Sequence, residues 1–310
     1  MTERPWTVAV LGPGGVGGLL AALLARAGHR VICLAGEETA QALRDGGLRL
    51  RSPQYGEFAV AVEAATELRE PADLLLVTVK ETALEPALER VSPEVLGDGL
   101  VVPLLNGADH PAVLRRRYRP ELVVTGAIRV ESTRVAPGVI EHGSSFTKVD
   151  LAGDTAPRGR VDELAAVLDG AGVDTAVRDS EGAVLWSKLA LLAPFALLTT
   201  RYGVPIGEMR TTHREDLTAL LGETTALGRA EGAGADVSVE GLLPLYDGFA
   251  PEAKSSMLRD AEAGRPLELD AIGHALIRAG ERHGIAVPVA TRLVAELEST
   301  SQSVHGTELH

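Results

Sequence analysis

Apolar and polar residues come in alternating blocks along the first 130 positions. Trp6 to Leu11 is a short apolar run, Leu19 to Ala27 has the spacing of a helix that stops at Gly28, and Arg30 to Ala35 is a second short run. This pattern predicts strand, helix, strand. Glu37 to Asp45 reads as a short helix, and Leu48 to Glu63 alternates like a small strand pair. Asp73 to Val79 is a continuous apolar strand of the kind buried on both faces in parallel sheets, and it ends in Lys80. Leu84 to Val95 is predicted helical despite Pro86, Leu100 to Leu105 is a strand ending in Asn106-Gly107, Val113 to Tyr118 is helical, and Leu122 to Ile128 is again a strand. Strands that alternate with helices predict a doubly wound parallel sheet, in which ligands bind beyond the carboxyl ends of the strands. Gly12, Lys80 and Asn106 all fall at such ends.

From Val130 to Val177 the pattern changes to short β-runs with turns at Pro137-Gly138 and Gly143-Ser144, and one helix near Val161 to Leu168. These runs predict antiparallel strands extending the sheet. Asp179 and Ser180 are helix N-cap candidates, and strand-like runs end there. The domain boundary is placed at that point: residues 1–178 form a dinucleotide-binding α/β domain and 179–310 an all-helical domain. The helices are predicted over Glu181–Leu198, Thr212–Glu231, Val239–Tyr246, Pro251–Glu262, Leu267–His283 and Pro288–Thr300, followed by a polar, frayed tail from Ser301 to His310.

The turn between the first strand and helix carries Gly12-Pro13-Gly14-Gly15-Val16-Gly17, which contains G-x-G-x-x-G. The first glycine permits a tight bend, the second lets backbone approach a pyrophosphate, and the third lets helix and strand pack closely. The helix start then offers unpaired N–H groups to phosphates. With thirty-four glycines in 310 residues the motif alone is weak. Its position between a strand and a helix, closed by a second strand, points to a dinucleotide site. Gly15 and Gly18 are additional glycines that loosen the pattern.

Composition narrows the class. The chain is 45% hydrophobic with a formal charge of −13, which argues against nucleic acid or an anionic membrane surface as partner. Cys33 is the only cysteine, so no internal disulfide can form; a buried, inert thiol is expected in a cytoplasmic enzyme. No membrane-length apolar run is expected. No paired histidine or cysteine spacing predicts a metal site.

Thirty residues are basic and only Lys80, Lys148, Lys188 and Lys254 are lysines. Arginine cannot release a proton at working pH, whereas a lysine partly withdrawn from water can act as an acid. Lys188 lies early on the first helix after the boundary, beside Trp186 and Leu189. It is either such an acid or a lysine whose stem lies along apolar neighbours at the surface. The residues alone leave both readings open.

Further motifs resemble one family over nearly the whole chain. Gly12 to Gly17, the strand-ending Lys80, Leu105-Asn106-Gly107, Trp186-Ser187-Lys188-Leu189, Ser255-Ser256-Met257-Leu258-Arg259-Asp260 and Glu268-Leu269-Asp270 together resemble the ketopantoate reductases (2-dehydropantoate 2-reductases). The resemblance implies a Rossmann-like domain, an all-helical C-terminal domain, NADP(H) as cofactor, a small 2-oxo acid as substrate, and a place in pantothenate biosynthesis. It implies that Lys80, Asn106 and Glu268 border the cofactor together with the glycine turn. Lys188 would be the proton donor, Asn106 and Ser256 would hold substrate, and Glu268 would order the site beside Lys188. A homodimer is a further expectation.

Two positions depart from the family pattern. The family carries asparagines four and eight residues after the catalytic lysine, where they hydrogen-bond substrate; here Leu192 and Ala196 stand there, and Asn106 is the only asparagine in the chain. A wall of Leu192 and Ala196 favours a 2-oxo acid with a plain alkyl or aromatic side chain. At the end of the second strand, Gly36 replaces the arginine that pairs with the 2′-phosphate of NADP. Glu37, twenty residues after Gly17, is either the acid that binds the ribose of NAD(H) or a surface glutamate in a helix's first turn, and Arg44 could reach a phosphate from the following helix. A different class of function, a dinucleotide sensor without chemistry, would have no use for a proton donor at Lys188.

Overall fold

The computed structural model describes residues 4–235 and 237–306, with side chains through residue 300. Backbone contacts divide the chain into two compact units, Met1–Leu105 with His110–Val184, and Asn106–Asp109 with Leu185–His310.

In the first unit the five strands Glu63–Ala65, Arg30–Leu34, Thr7–Leu11, Leu74–Val77 and Leu100–Pro103 lie side by side in that order, every pair parallel. Their side chains alternate between two apolar layers. Val8, Val10, Val31, Cys33, Leu74 and Leu76 face one layer, and Ala9, Leu11, Ile32, Leu34, Leu75 and Val77 the other. Burial on both faces is why these strands read as unbroken apolar runs. Cys33 is fully buried, and that burial pushes its thiol pKa up to about 12, so it stays protonated and inert.

The helix Gly15–Arg26 follows the first strand, and its buried residues join a core shared with Leu48, Leu50 and Ile140 of a second sheet. That sheet holds Gly56–Val60, Leu48–Ser52, Val139–His142 and Ser132–Ala136. A third sheet holds Asp174–Val177, Lys148–Ala152 and Thr125–Arg129. The β-runs after Val130 therefore build two small mixed sheets. The segment around Leu122 to Ile128 becomes Thr125–Arg129, which pairs antiparallel with Lys148–Ala152. The crossover helix Arg158–Gly170 returns the chain so that Asp174–Val177 lies parallel to Lys148–Ala152.

The expected helix over Leu84 to Val95 is broken into Leu84–Leu88 and Pro93–Leu96. Proline crowds the residue before it out of the helical region, and Ser92 is accordingly extended, with ψ 137°.

The second unit is helical. The helix Glu181–Tyr202 contributes its long element from Leu185 onward, and helical structure continues through Pro194. Ala183 N–H donates to Ser180 Oγ at 3.1 Å, the cap anticipated at that position. By length and mean hydropathy of 1.6 this helix could cross a membrane, contrary to the expectation that no such run exists. Its apolar residues instead supply the core of the unit, where Trp186, Leu189, Ala193 and Leu197 pack with Leu220, Tyr246, Leu276 and Leu293. The segment expected as one helix over Thr212 to Glu231 begins earlier and divides at His213 into Ile206–Thr212 and Arg214–Ala230. Val239–Gly248 and the short helix Ser256–Glu262 follow. A π-helical turn, Asp270–His274, then leads into Ala275–His283. The last helix, Pro288–Gly306, carries helical structure into the tail expected to be frayed, whose residues 307–310 lie outside the described residues.

Candidate functional site

The glycine turn of the first unit is assembled by backbone contacts. Gly12 adopts φ +89°, a conformation open to glycine, and its N–H donates to Leu34 O at 3.1 Å. Gly14 N–H donates to Gly12 O at 2.7 Å, and the Thr78 hydroxyl donates to the same oxygen at 2.8 Å. A Cβ on Gly17 would lie 2.3 Å from both Gly12 O and Thr78 Oγ1, so the third glycine is required by close packing. A Cβ on Gly14 would meet nothing nearer than 3.9 Å. The protein leaves that space open. Gly14 also stands at the N-cap of Gly15–Arg26 without a side-chain cap, and no acid occupies the first turn. An uncapped, acid-free helix start beside open space fits the pyrophosphate of a dinucleotide. Pro13 is buried and Val16 half-buried within the same turn.

Gly15 and Gly18 also have defined purposes. A Cβ on Gly15 would sit 2.2 Å from Ser132 O, and one on Gly18 2.5 Å from Ile140 Cδ1. Ser132 Oγ donates to Gly15 O at 2.8 Å. Both extra glycines let the second sheet close over the helix, a purpose that motif spacing does not reveal.

Lys80 is exposed at the end of the Leu74–Val77 strand, just before the single turn Glu81–Ala83. Gly36 is the N-cap of Glu37–Gly46, exposed and with nothing within 4 Å of where a Cβ would be. Arg44 forms an ion pair with Glu37 and also bonds Gln41 Oε1 at 2.7 Å and Ala64 O at 3.2 Å. The guanidinium that might have reached a 2′-phosphate is thus already engaged, chiefly by the acid that might have bound the ribose.

In the helical unit, Asn106 Nδ2 donates to Glu268 Oε2 at 3.0 Å across 162 positions of sequence. Glu268 is only 6% exposed, so it is no solvated surface acid. Two more contacts hold the Asn106–Asp109 segment. Gly107, at φ +90°, lies so close to the π-turn that a Cβ would stand 2.5 Å from Ala271 O. Arg278 donates to Asp109 Oδ2 at 2.7 and 3.0 Å and bonds Asp270 Oδ1 at 2.8 Å. This ion pair carries no sequence signature, being 169 positions apart.

Lys188 is half-buried on the long helix, between buried Trp186 and Leu189. Leu192 is half-buried, while Ala196 has no exposed surface and belongs to the core. At about 100° per residue, position 195 stands about 20° from Lys188 around the helix and position 196 about 80° away. Phe195, half-buried, therefore stands on the lysine face that spacing of eight had assigned to Ala196.

Ser256 is exposed at the first position of its helix. The preceding Ser255 is the cap: its Oγ accepts from Leu258 N–H at 3.1 Å and lies 2.8 Å from Thr199 Oγ1. Thr199 in turn donates to Phe195 O at 2.6 Å. This chain of hydroxyls ties the start of the Ser256 helix to the lysine helix.

A family model described as ketopantoate reductase PanE/ApbA matches residues 8–151, and its C-terminal counterpart matches residues 183–300. The 2-dehydropantoate 2-reductase of Caulobacter vibrioides is 29% identical over 302 residues, covering 95% of this chain and 99% of that protein. The crystal structure of 2-dehydropantoate 2-reductase from Geobacter metallireducens is 30% identical with a TM-score of 0.86, covering 95% of this chain and 99% of that one. A D-mandelate dehydrogenase solved with NADH and anilino(oxo)acetate shares the fold at TM-score 0.86 and 21% identity, covering 96% and 99%.

Proposed function

The chain belongs to the ketopantoate reductase family, and from that premise we propose that it reduces a small 2-oxo acid to the 2-hydroxy acid, with Lys188 as proton donor. The hydrogen bond of Asn106 to buried Glu268 carries this reading. It holds a strand-end amide and a carboxylate in a fixed arrangement within the unit that also contains Lys188 and Ser256, and a passive dinucleotide sensor would have no use for it.

When bound, the reduced nicotinamide supplies a hydride to C2 of the oxo acid. The glycine turn Gly12 to Gly17 would hold the pyrophosphate, and Lys80 and Asn106 would border the nicotinamide. Lys188 gives a proton to the carbonyl oxygen as charge develops there, and its ammonium stabilises the alkoxide before transfer. Glu268, held by Asn106, orders the site beside Lys188. The Ser256 hydroxyl donates to the substrate carboxylate. Leu192 replaces an amide on the lysine face, so the substrate side chain meets an apolar surface there.

The cofactor is NADP(H) or NAD(H). Gly36 offers no cation to a 2′-phosphate and Arg44 is held by Glu37. A charge-assisted bond of that kind contributes about 1.5–3 kcal/mol. The preference for NADPH over NADH is therefore small, within about tenfold in kcat/KM. Following absorbance at 340 nm with each cofactor and a panel of 2-oxo acids tests both statements. Oxidation of either cofactor with at least one 2-oxo acid is the expected result. If no 2-oxo acid drives oxidation the reading is wrong, and a thousandfold NADPH preference would mean another cation reads the phosphate.

A further inference from the structure

Only four phenylalanines occur in the chain, and two of them meet at one place. Phe195 and Phe249 stack with ring centroids 5.7 Å apart and planes 29° apart. Phe195 is seven residues beyond Lys188 on the same helix, about 10 Å along the axis and nearly in line with it. Leu192 lies between them. The three side chains form one row, changing from cationic to aliphatic to aromatic.

Phe249 is 38% exposed, although water disfavours an open aromatic ring. It follows the helix Val239–Gly248 and is held firmly. Arg210 Nη1 donates to the carbonyls of Tyr246, Asp247 and Phe249 at 2.6, 3.1 and 2.8 Å. The buried Tyr246 donates its hydroxyl to Leu191 O at 2.5 Å, and its ring stands 6.4 Å from that of Phe249. Beyond Phe195, Thr199 and Ser255 bring in the start of the Ser256 helix. A 2-oxo acid held by its carbonyl at Lys188 would have Leu192 and then this aromatic surface beside its side chain.

Resting on the 2-oxo acid reading above, we propose that Leu192, Phe195 and Phe249 form a side-chain pocket that selects 2-oxo acids ending in an aromatic ring. Offset or tilted ring contacts favour such a guest over an alkyl chain. Phe195 and Phe249 are specificity residues, remote from the proton transfer itself.

The test compares 2-oxo-4-phenylbutanoate with 2-oxobutanoate, which differ only by the ring. The wild-type enzyme should show at least tenfold higher kcat/KM for the phenyl compound. Phe249→Ala should cut that ratio at least fivefold, mainly through KM, and Phe249→Leu should fall between. A wild-type ratio of one or less, or a ratio unchanged in both variants, overturns the pocket while 2-oxobutanoate turnover leaves the reaction standing. If neither compound is reduced while both cofactors bind, the reaction reading fails and the pocket with it.

Discussion

Lys188 is half-buried on a helix whose neighbouring side chains are apolar, in a chain that uses arginine for all but four of its thirty basic residues. An arginine there would keep the charge without a transferable proton. Lys188→Ala should lower kcat by about 10²-fold or more, the scale of a lost proton donor, while NADP+ binding measured by calorimetry stays nearly unchanged. Lys188→Arg should restore little; wild-type turnover in that variant would remove the general-acid role. The scarcity of lysine singled out Lys188 as a candidate in the sequence. Phe195 was hidden by the choice of spacing: seven residues return to the lysine face, whereas eight lead to Ala196 inside the core.

The strand, glycine turn and first helix form the most legible element, since each part has its own sequence signal. What the motif left unexplained was which glycines the protein needs for itself. A Cβ on Gly17 meets backbone and Thr78 at 2.3 Å, whereas one on Gly14 enters open space. Gly17→Ala should therefore destabilise the fold by about 1–3 kcal/mol, the usual range for overpacking. Thermal melting would record this as a drop of several degrees. Gly14→Ala should melt near wild type and bind NADP+ about tenfold or more weakly, a loss of about 1.4 kcal/mol. Equal affinity in Gly14→Ala would show that the pyrophosphate does not approach there. The helix expected through Leu84 to Val95 was misread because the apolar spacing continues across Ser92-Pro93, where local sterics override it.

At the scale of the molecule, the alternation of strands and helices, followed by helices alone, made both units readable. The assignment of Asn106–Asp109 to the helical unit was not readable, because it depends on Gly107 against Ala271 and Asp109 with Arg278, contacts that no local pattern encodes. The same holds for the two small sheets, whose pairings join segments such as Leu48–Ser52 and Val139–His142. A charge of −13 surrounds an uncapped, acid-free helix start at the glycine turn, so a negative molecule keeps one place suited to phosphates. The proposed 2-oxo acid reductase has Leu192 on its lysine face where an amide would read a substrate hydroxyl. Burying that hydroxyl unpaired would cost about 1–3 kcal/mol. Thr199, which might have paired it, is already bonded to Phe195 O and Ser255. The most direct measurement is kcat/KM for ketopantoate against 3,3-dimethyl-2-oxobutanoate, the same acid without its hydroxyl. The deoxy compound should be reduced at least as well; a hundredfold advantage for ketopantoate would contradict the account.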